Sequence, residues 1–349
     1  MLTKQEFRQY LSQGIHYLDG ATGSNLRKAG MPKGCCTEVW VMENPEPLVQ
    51  LQRGYANAGS QIIYAPTFQA QPIALKTVGL DSQTEKINES LVALSRSAAP
   101  GCLIAGDLTT LATFCESWNP DCFDTLVENY RRQIHGLMEG GADLLVGETL
   151  LYAQEAEAIL TAAELECAGA VMFSFTMQAD GSLFSGADAG KVLRELEDAG
   201  ADAVGFNCVG ADMMTPYLVS KLRRYTSLPL ICKPNAGIPV INQEGVAEYN
   251  LSPGEFTGIM KQCANNGALL LGGCCGTNPD FIAALKQEYT CVGGGRFRKN
   301  GCSGREDHKQ DSSRQKPDRY RQYACSYFYK GGCCRDEGTC KSRNRQKET

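Results

Sequence analysis

Short apolar runs recur along the first 290 residues, and each is followed by a stretch with helical spacing. The runs lack the alternation of half-exposed strands, which is typical of parallel strands buried on both faces. Stretches such as EAEAILTAAELECAG and AGKVLRELEDAG carry helical spacing and end in glycine. The eight predicted strands cover residues 15–21, 60–68, 102–108, 142–149, 169–177, 203–208, 229–237 and 268–275.

Eight strand–helix units predict an α/β fold, a (β/α)8 TIM barrel whose active site lies at the C-terminal ends of the strands. A weak internal repeat agrees with this, since GADLLVGET, GADAVGFNC and GALLLGGCC align without gaps. The alternative is an open, doubly wound sheet. It is less favoured because no glycine-rich dinucleotide loop follows the first strand.

The barrel is expected to span residues 1–290, and residues 291–349 form a different kind of sequence. This tail carries 15 basic and 7 acidic residues although the whole chain has a net charge of −5. It is rich in glycine, has six cysteines and shows no periodicity, so we expect it to be disordered. Metal binding by GGCCRDEGTC (331–340) and a sequence artefact are alternatives, and we assign the tail no function.

Composition narrows the classes of function. The N-terminus lacks the apolar core of a signal peptide, and no run of 18 apolar residues is present, so no membrane contact is expected. Seventeen cysteines in a chain expected to be cytoplasmic favour free thiols and metal ligands over disulfides. The basic tail lacks interleaved aromatic residues outside YACSYFY (323–329), which disfavours nucleic-acid binding.

Cysteines close two of the predicted strands. Cys208 ends the sixth strand, and Cys274 and Cys275 end the eighth. The ends of these next-but-one strands can converge at the mouth of a barrel. Successive strand residues point to opposite faces of a sheet. Cys274 and Cys275 can therefore bind the same metal only where the backbone leaves strand geometry. The glycines on both sides of the pair permit that turn.

Three thiolates around Zn²⁺ leave the fourth tetrahedral position open, as in reactive zinc sites. Soft sulfur ligands favour zinc over magnesium or calcium. Such a zinc suits the activation of a substrate thiol for alkylation better than hydrolysis, because free thiols are mostly protonated at pH 7. The alternative for any of these cysteines is a small core side chain. We interpret four others in that way: Cys102, Cys167, Cys232 and Cys263.

Several motifs, in this order, resemble the homocysteine S-methyltransferase family: LDGATGSNL (18–26), GETLLYAQEA (147–156), GFNCVG (205–210), KPNAGIP (233–239) and GGCCGTNPDFI (272–282). The resemblance covers about residues 10–288 and is closest to the homocysteine-binding module of cobalamin-dependent methionine synthase. It implies a (β/α)8 barrel with one zinc held by three cysteines, here Cys208, Cys274 and Cys275.

The resemblance also implies a substrate site. Asp19 and Glu148 would hold the amino group of homocysteine, since two carboxylates form charge-assisted hydrogen bonds with an ammonium. The backbone N–H groups of Gly20 and Ala21 would take the substrate carboxylate, and Thr67 would line the pocket. An alternative for Asp19 is a turn residue, because DGATGS is rich in turn-forming residues.

Asn207 is also predicted at this site, as a substrate contact or as a hydrogen-bonding residue that orients the thiolates. Asn235 is a candidate for the second of these roles. A turn position is the alternative for both. No protein residue is predicted to be catalytic beyond the zinc-activated substrate thiolate.

The implied reaction is zinc-dependent methyl transfer to homocysteine, giving methionine. The donor is expected to be a methylcorrinoid protein or a methylfolate-derived methyl group on a separate partner, because the sequence shows no corrinoid module and no second, folate-binding barrel. A small donor such as S-methylmethionine or betaine is the alternative. A non-catalytic adaptor that binds homocysteine or zinc is a hypothesis from another class.

Overall fold

A computed structural model describes residues 1–112, 120–178, 180–212, 214–243 and 247–291. Within these residues, eight parallel strands form one sheet and a two-stranded antiparallel hairpin stands apart from it. The ten strands are β1 His16–Tyr17, β2 Ile62–Tyr64, β3 Leu103–Thr109, β4 Leu144–Leu150, β5 Val171–Phe175, β6 Ala203–Gly210, β7 Leu230–Asn235, β8 Val240–Ile241, β9 Ala247–Glu248 and β10 Ala268–Leu271.

The large sheet closes into a barrel. Its order is β1-β10-β7-β6-β5-β4-β3-β2, and a parallel bridge between Leu18 and Ile62 joins its two ends. A hydrogen bond from Gln61 N to Tyr17 O, 2.7 Å long, reinforces the closure. Each strand thus lies beside its neighbours in the chain, apart from the inserted β8–β9 hairpin. The predicted TIM barrel is confirmed, and the open-sheet alternative is wrong.

Helices alternate with the strands and surround the barrel. Capping boxes begin two of them, where Thr3 and Ser252 exchange hydrogen bonds with Glu6 and Glu255. The helices are α1 Lys4–Leu11, α2 Gly23–Lys28, α3 Thr37–Glu43, α4 Pro45–Ala58, α5 Pro72–Leu75, α6 Thr84–Ala98, α7 Pro120–Glu139, α8 Ala153–Leu165, α9 Ala189–Asp198, α10 Thr215–Leu222, α11 Pro253–Asn265 and α12 Pro279–Cys291.

The N-terminal end of the barrel is closed by α1. Phe7 and Leu11 of this helix are buried in one cluster with strand residues such as Leu144 and Met172, which belong to the barrel interior. The segment before α1 is tied to the strands as well, because Leu2 N donates to Asp143 O at 2.7 Å. A second and larger apolar layer fills the space between the strands and the outer helices.

At the mouth of the barrel, the first and last strands of the large sheet end earlier than predicted, whereas β3, β4 and β6 run one or two residues further. β1 ends at Tyr17 and β10 at Leu271, so the polar residues after them lie in turns. The predicted boundary near residue 290 falls at the end of α12, and the predicted disordered tail from residue 292 onward lies outside the described residues. Among the helices described, none combines the length and apolar character needed to cross a bilayer.

Candidate active site

The three thiols singled out in the sequence lie together at the mouth of the barrel. Cys208 lies near the end of β6, and Cys274 and Cys275 lie in the turn after β10. Their three Sγ atoms are all within 4.8 Å of one another. None of the three forms a disulfide, and each is partly buried. The convergence of strand ends that the sequence predicts is therefore observed.

Unusual backbone conformations place these thiols. Cys208 has φ of 56°, and the register of β6 against β7 shifts between Asn207 and Gly210. A non-glycine residue in the left-handed region is uncommon, and such positions cluster at functional sites. Gly276 ends the turn with φ of 84°, and a Cβ there would lie 2.4 Å from Cγ of Tyr249. Only glycine fits at that position.

The turn that carries the cysteine pair is fixed to the end of β7. Cys274 N donates to Pro234 O at 2.7 Å, and Ala236 N donates to Cys275 O at 2.9 Å. The two backbones therefore run side by side past the end of the regular strands. This pairing holds the adjacent thiols in a conformation that a regular β-strand does not allow.

The chemistry of the thiol cluster fits a soft metal ion. A zinc ion with tetrahedral Zn–S bonds of about 2.3 Å separates its sulfurs by about 3.8 Å, and the three Sγ atoms, all within 4.8 Å of one another, are near enough to share one such ion. Hydrogen bonds with Cys274 and Cys275, together with burial, raise the pKa of Cys208 well above its usual value. A bound cation reverses this effect, because it stabilises the thiolate form of each ligand.

A buried ion-pair cluster lies beside the thiols. Nζ of Lys233, at the end of β7, is 2.8 Å from Oε1 of Glu148 and 3.3 Å from Oδ1 of Asp19. The side chains of Asp19 and Glu148 are only 1% and 10% exposed. The two carboxylates predicted to hold an ammonium are thus brought together, and a lysine that the sequence interpretation did not assign lies between them.

Burial controls the ionisation of this cluster. It raises the pKa of Asp19 to about 6, although Lys233 and the N–H of Tyr64, which donates at 2.9 Å, act in the opposite direction. Burial also raises the pKa of Glu148, again against the effect of Lys233. For Lys233 itself burial opposes the charge, but Glu148 and Asp19 outweigh it and raise the pKa well above the usual lysine value.

Two more residues complete the walls of this cluster. The ring of Tyr64 lies under the lysine, with its centroid 4.2 Å from Nζ of Lys233. Asp107, near the end of β3, is 4% exposed, and its Oδ1 has no hydrogen-bond partner among the described residues. Burial, and next the charge of Glu148, raise the pKa of Asp107 well above its usual value.

Asn207 connects the carboxylate side of the site to the thiol side. Its Nδ2 donates to Oγ1 of Thr149 at 2.6 Å, and its Oδ1 accepts from Thr149 N at 3.0 Å. The same Nδ2 is 3.8 Å from Sγ of Cys274, within the range of a weak hydrogen bond to sulfur. These contacts correspond to the alternative in which Asn207 orients a thiolate. Asn235 is buried near them at the end of β7.

The first turn after β1 packs closely against the cysteine turn. Ala21 N donates to Oγ1 of Thr277 at 3.1 Å, and that hydroxyl donates to Cys274 O at 2.7 Å. A Cβ on Gly20 would lie 2.6 Å from Oη of Tyr55. The N–H of Ala21 is therefore already engaged by a side chain. Binding of a substrate carboxylate by Gly20 and Ala21 stays a prediction.

Thr67 is fully buried beside Asp107. Its hydroxyl donates to Asp107 O at 2.9 Å and accepts from Asp107 N at 3.0 Å. Nε2 of Gln133 donates to Thr67 O at 2.7 Å from the helix behind it. Thr67 thus fixes the backbone that carries Asp107, and its own contact with a substrate stays a prediction.

The residues that the sequence interpretation left without a role are Lys233, Asp107, Tyr64 and Thr277. A signal for the lysine is present, since a cation inside the apolar run PLICKPNAG must be buried with a counter-charge. Asp107 is likewise a charged residue inside an apolar run, CLIAGDL. Tyr64 and Thr277 have roles only through contacts with segments that are distant in the chain, so the local sequence carries no signal for them.

The fold and the site define a class: (β/α)8 barrel proteins with a cluster of three thiols at the mouth. The model of the homocysteine S-methyltransferase family matches residues 17–289. In its metallated form, the homocysteine methyltransferase MmuM from Escherichia coli has a TM-score of 0.69 and 27% identity, over 81% of this chain and 99% of that one. Its oxidized form gives a TM-score of 0.66 at 27% identity, over 78% of this chain and 96% of that one.

A methionine synthase from Mycobacterium leprae is 27% identical over 297 residues, which is 78% of this chain. The chain spans only 24% of the length of that relative. Because the family model covers most of the chain, we conclude that the protein belongs to the homocysteine S-methyltransferase family and is a methyltransferase. The predicted family is therefore confirmed.

Proposed function

We propose that this protein transfers a methyl group to the thiol of homocysteine and so produces methionine, with Zn²⁺ held by Cys208, Cys274 and Cys275. The observation that carries the proposal is the approach of the three Sγ atoms, all within 4.8 Å of one another, at the mouth of the barrel. Through Asn207 and Thr149 this cluster is connected to the buried carboxylates. One site therefore offers partners for both ends of a thiol-bearing amino acid.

A bound zinc supplies a positive charge that stabilises the substrate thiolate at neutral pH. The thiol proton leaves to solvent. The sulfur then forms a bond to the methyl carbon with its own electron pair, while the bond from that carbon to the donor breaks and its electrons stay on the donor. The protein residues position the two reactants in line, and such positioning accounts for much of the rate enhancement in transfers of this type.

The amino-acid end of the substrate is assigned to the charged side of the site. Asp19 and Glu148 accept hydrogen bonds from the substrate ammonium, which is favourable because a buried site strengthens charge-assisted bonds. The N–H of Gly20 is assigned to the substrate carboxylate, the N–H of Ala21 would join it only by releasing Oγ1 of Thr277, and Thr67 supports the pocket wall. Asn207 holds Cys274 in place, so the sulfur of homocysteine meets an ordered set of ligands.

The methyl donor is proposed to be a separate protein that carries a methylcorrinoid or a methylfolate-derived group. Exposed apolar side chains lie on the segments that follow β6 and β7 at the mouth, and exposed apolar side chains that form a patch mark a protein contact. They are Met214, Tyr217, Ile238, Val240 and Ile241.

A small donor of the S-methylmethionine or betaine type is the second candidate. The observation that favours it is the near-complete coverage of a homocysteine methyltransferase chain, 99%, by this barrel. A barrel of this size is therefore enough for a homocysteine methyltransferase. The expected cytoplasmic location stays a prediction.

The experiment that tests the proposal measures methionine formation from homocysteine with each donor, and zinc content by atomic absorption. We expect one zinc per chain and turnover with at least one donor. Cys208→Ala is expected to lose zinc and turnover together, whereas the matched control Cys35→Ala, at an exposed thiol, keeps both. Full turnover of Cys208→Ala contradicts the zinc chemistry. Homocysteine binding without methionine from any donor supports the adaptor hypothesis instead.

A further inference from the structure

Lys233 is a buried cation for which the proposed reaction gives no role. Its side chain is 4% exposed and touches both carboxylates of the amino-acid site, Glu148 at 2.8 Å and Asp19 at 3.3 Å. Its Nζ also lies over the ring of Tyr64, 4.2 Å from the centroid. Lysine is almost never this buried unless it is paired, because removing an ammonium from water costs several kcal/mol. A lysine that is buried at this cost in hydration free energy indicates a role in the site.

The charges of the cluster balance only when one more cation is added. Asp107 is buried beside Glu148, and burial followed by the charge of Glu148 raises the pKa of Asp107 well above its usual value, which favours its neutral form. Asp19 and Glu148 then contribute two negative charges and Lys233 one positive charge. The remaining negative charge matches a single ammonium.

Both carboxylates can accept a further hydrogen bond while the lysine stays in place. Glu148 uses Oε1 for Lys233, which leaves Oε2 for another donor. In Asp19, Oδ2 accepts from Tyr64 N, and Oδ1 lies 3.3 Å from the lysine. Each ionised carboxylate has about four lone-pair sites, so the site is not saturated by these contacts.

We propose that Lys233 is a positioning residue of the amino-acid site, which holds Asp19 and Glu148 ionised and close together and thereby selects thiols that carry an α-amino group. This inference rests on the proposed function, because it names how that same site recognises its substrate. Without the lysine, two buried carboxylates this close repel each other and one of them takes up a proton. The substrate ammonium then meets a weaker acceptor.

The test compares homocysteine with 4-mercaptobutanoate, which has the same thiol chain and carboxylate but no amino group. Calorimetric Kd values for both thiols on the zinc-loaded protein need no methyl donor. We expect Lys233→Met to lose at least tenfold of the preference for homocysteine, with the Kd for 4-mercaptobutanoate unchanged and the zinc content kept at the wild-type level. A purely structural role predicts that the Kd values of both thiols rise equally, and that result would overturn the inference.

An unchanged or increased preference in Lys233→Met would also overturn it, because that result means that the lysine merely competes with the substrate ammonium. Lys233→Arg retains the cation and is expected to keep more of the preference than Lys233→Gln, which retains only a hydrogen-bond donor. Where Lys233→Met does not fold, the ratio of the Kd values for the two thiols in Lys233→Arg and Lys233→Gln tests the inference instead. Absence of homocysteine binding in the wild type refutes the proposed function itself, which is a different result.

Discussion

At the N-terminal end of the barrel, α1 closes the opening with apolar side chains, and Phe7 and Leu11 are buried among strand residues. At the C-terminal end, carboxyl groups and a lysine are buried instead, beside three partly buried thiols. Apolar burial stabilises a fold directly, whereas buried ionic groups must first recover the free energy of their lost hydration. The N-terminal end of the barrel therefore stabilises the fold, whereas the C-terminal end lowers the stability of the fold and carries the reactive groups.

The largest effect is expected at the closed end. Phe7→Ala removes a fully buried ring and leaves a cavity, which should lower the free energy of unfolding by about 3–5 kcal/mol. The kcat/KM of the remaining folded protein should stay close to wild type, because α1 lies far from the thiols along every strand. Urea unfolding and steady-state kinetics check this. Phe7→Leu, which fills most of the space, should cost clearly less, and an equal loss in both variants would contradict the cavity explanation.

At the open end, Glu148→Gln should mainly change substrate recognition. A hydrogen bond to a charged group contributes about 1.5–3 kcal/mol, so kcat/KM for homocysteine should fall about 10- to 100-fold. Lys233 keeps one partner, Asp19, in this variant. Steady-state kinetics with homocysteine as the varied substrate measures the effect.

The matched control is Glu155→Gln, in the first turn of α8. Glu155 is equally buried, but it accepts hydrogen bonds from Thr110 Oγ1 at 2.6 Å and Leu111 N at 2.7 Å and so holds a loop. This control should lower stability and leave the KM for homocysteine unchanged. A similar rise of KM in both variants would mean that Glu148 acts through the fold alone.

A smaller effect is expected for Thr277→Val. The hydroxyl of Thr277 joins the turn after β1 to the cysteine turn through Ala21 N and Cys274 O. Its removal leaves a buried N–H without that acceptor and should cost about 1–2 kcal/mol of unfolding free energy. Thr277→Ser keeps the hydroxyl and should recover most of the loss in thermal or urea unfolding. Equal destabilisation by both substitutions would assign the effect to the methyl group instead.

Much of the barrel was predictable because its signal is local. The run ALLLGGCC shows both a buried strand and the glycines that end it, and β10 does stop at Leu271. The capping role of α1 was not predictable, since nothing in KQEFRQYL indicates which surface will cover Phe7. The β8–β9 hairpin was missed as well, because its strands have only two residues each.

In the site, strand-end position predicted the thiols, but it did not predict which groups are already occupied. The N–H of Ala21 is engaged by Thr277, which is 256 positions away in the chain. Likewise, Lys233 meets Glu148 across 85 positions. Such contacts depend on how separate turns approach one another in three dimensions. A pattern read along one segment carries no information about that approach.

The last expected effect is a gain in stability rather than a loss, and it is expected at the open end. Asp107 is buried with Oδ1 unpaired and faces Glu148, Asp19 and Lys233 within the described cluster. Because the pKa of Asp107 in the fold lies well above 3.8, its value when unfolded, the native state holds the proton more tightly. The stability contributed by that proton is complete below about pH 4 and is lost as the pH rises through the native pKa.

Asp107→Asn removes this titration and places an amide donor among carboxylate acceptors. The variant should therefore be more stable than wild type at pH 8, and the difference should shrink as the pH falls toward 4. Urea unfolding at several pH values measures it. Asp198→Asn, at an exposed carboxylate with 65% of its side chain accessible, is the control and should leave the pH dependence unchanged. Parallel pH profiles for wild type and Asp107→Asn would show that the buried carboxyl costs the fold nothing, and the contrast between the two ends of the barrel would then rest on the thiols and Lys233 alone.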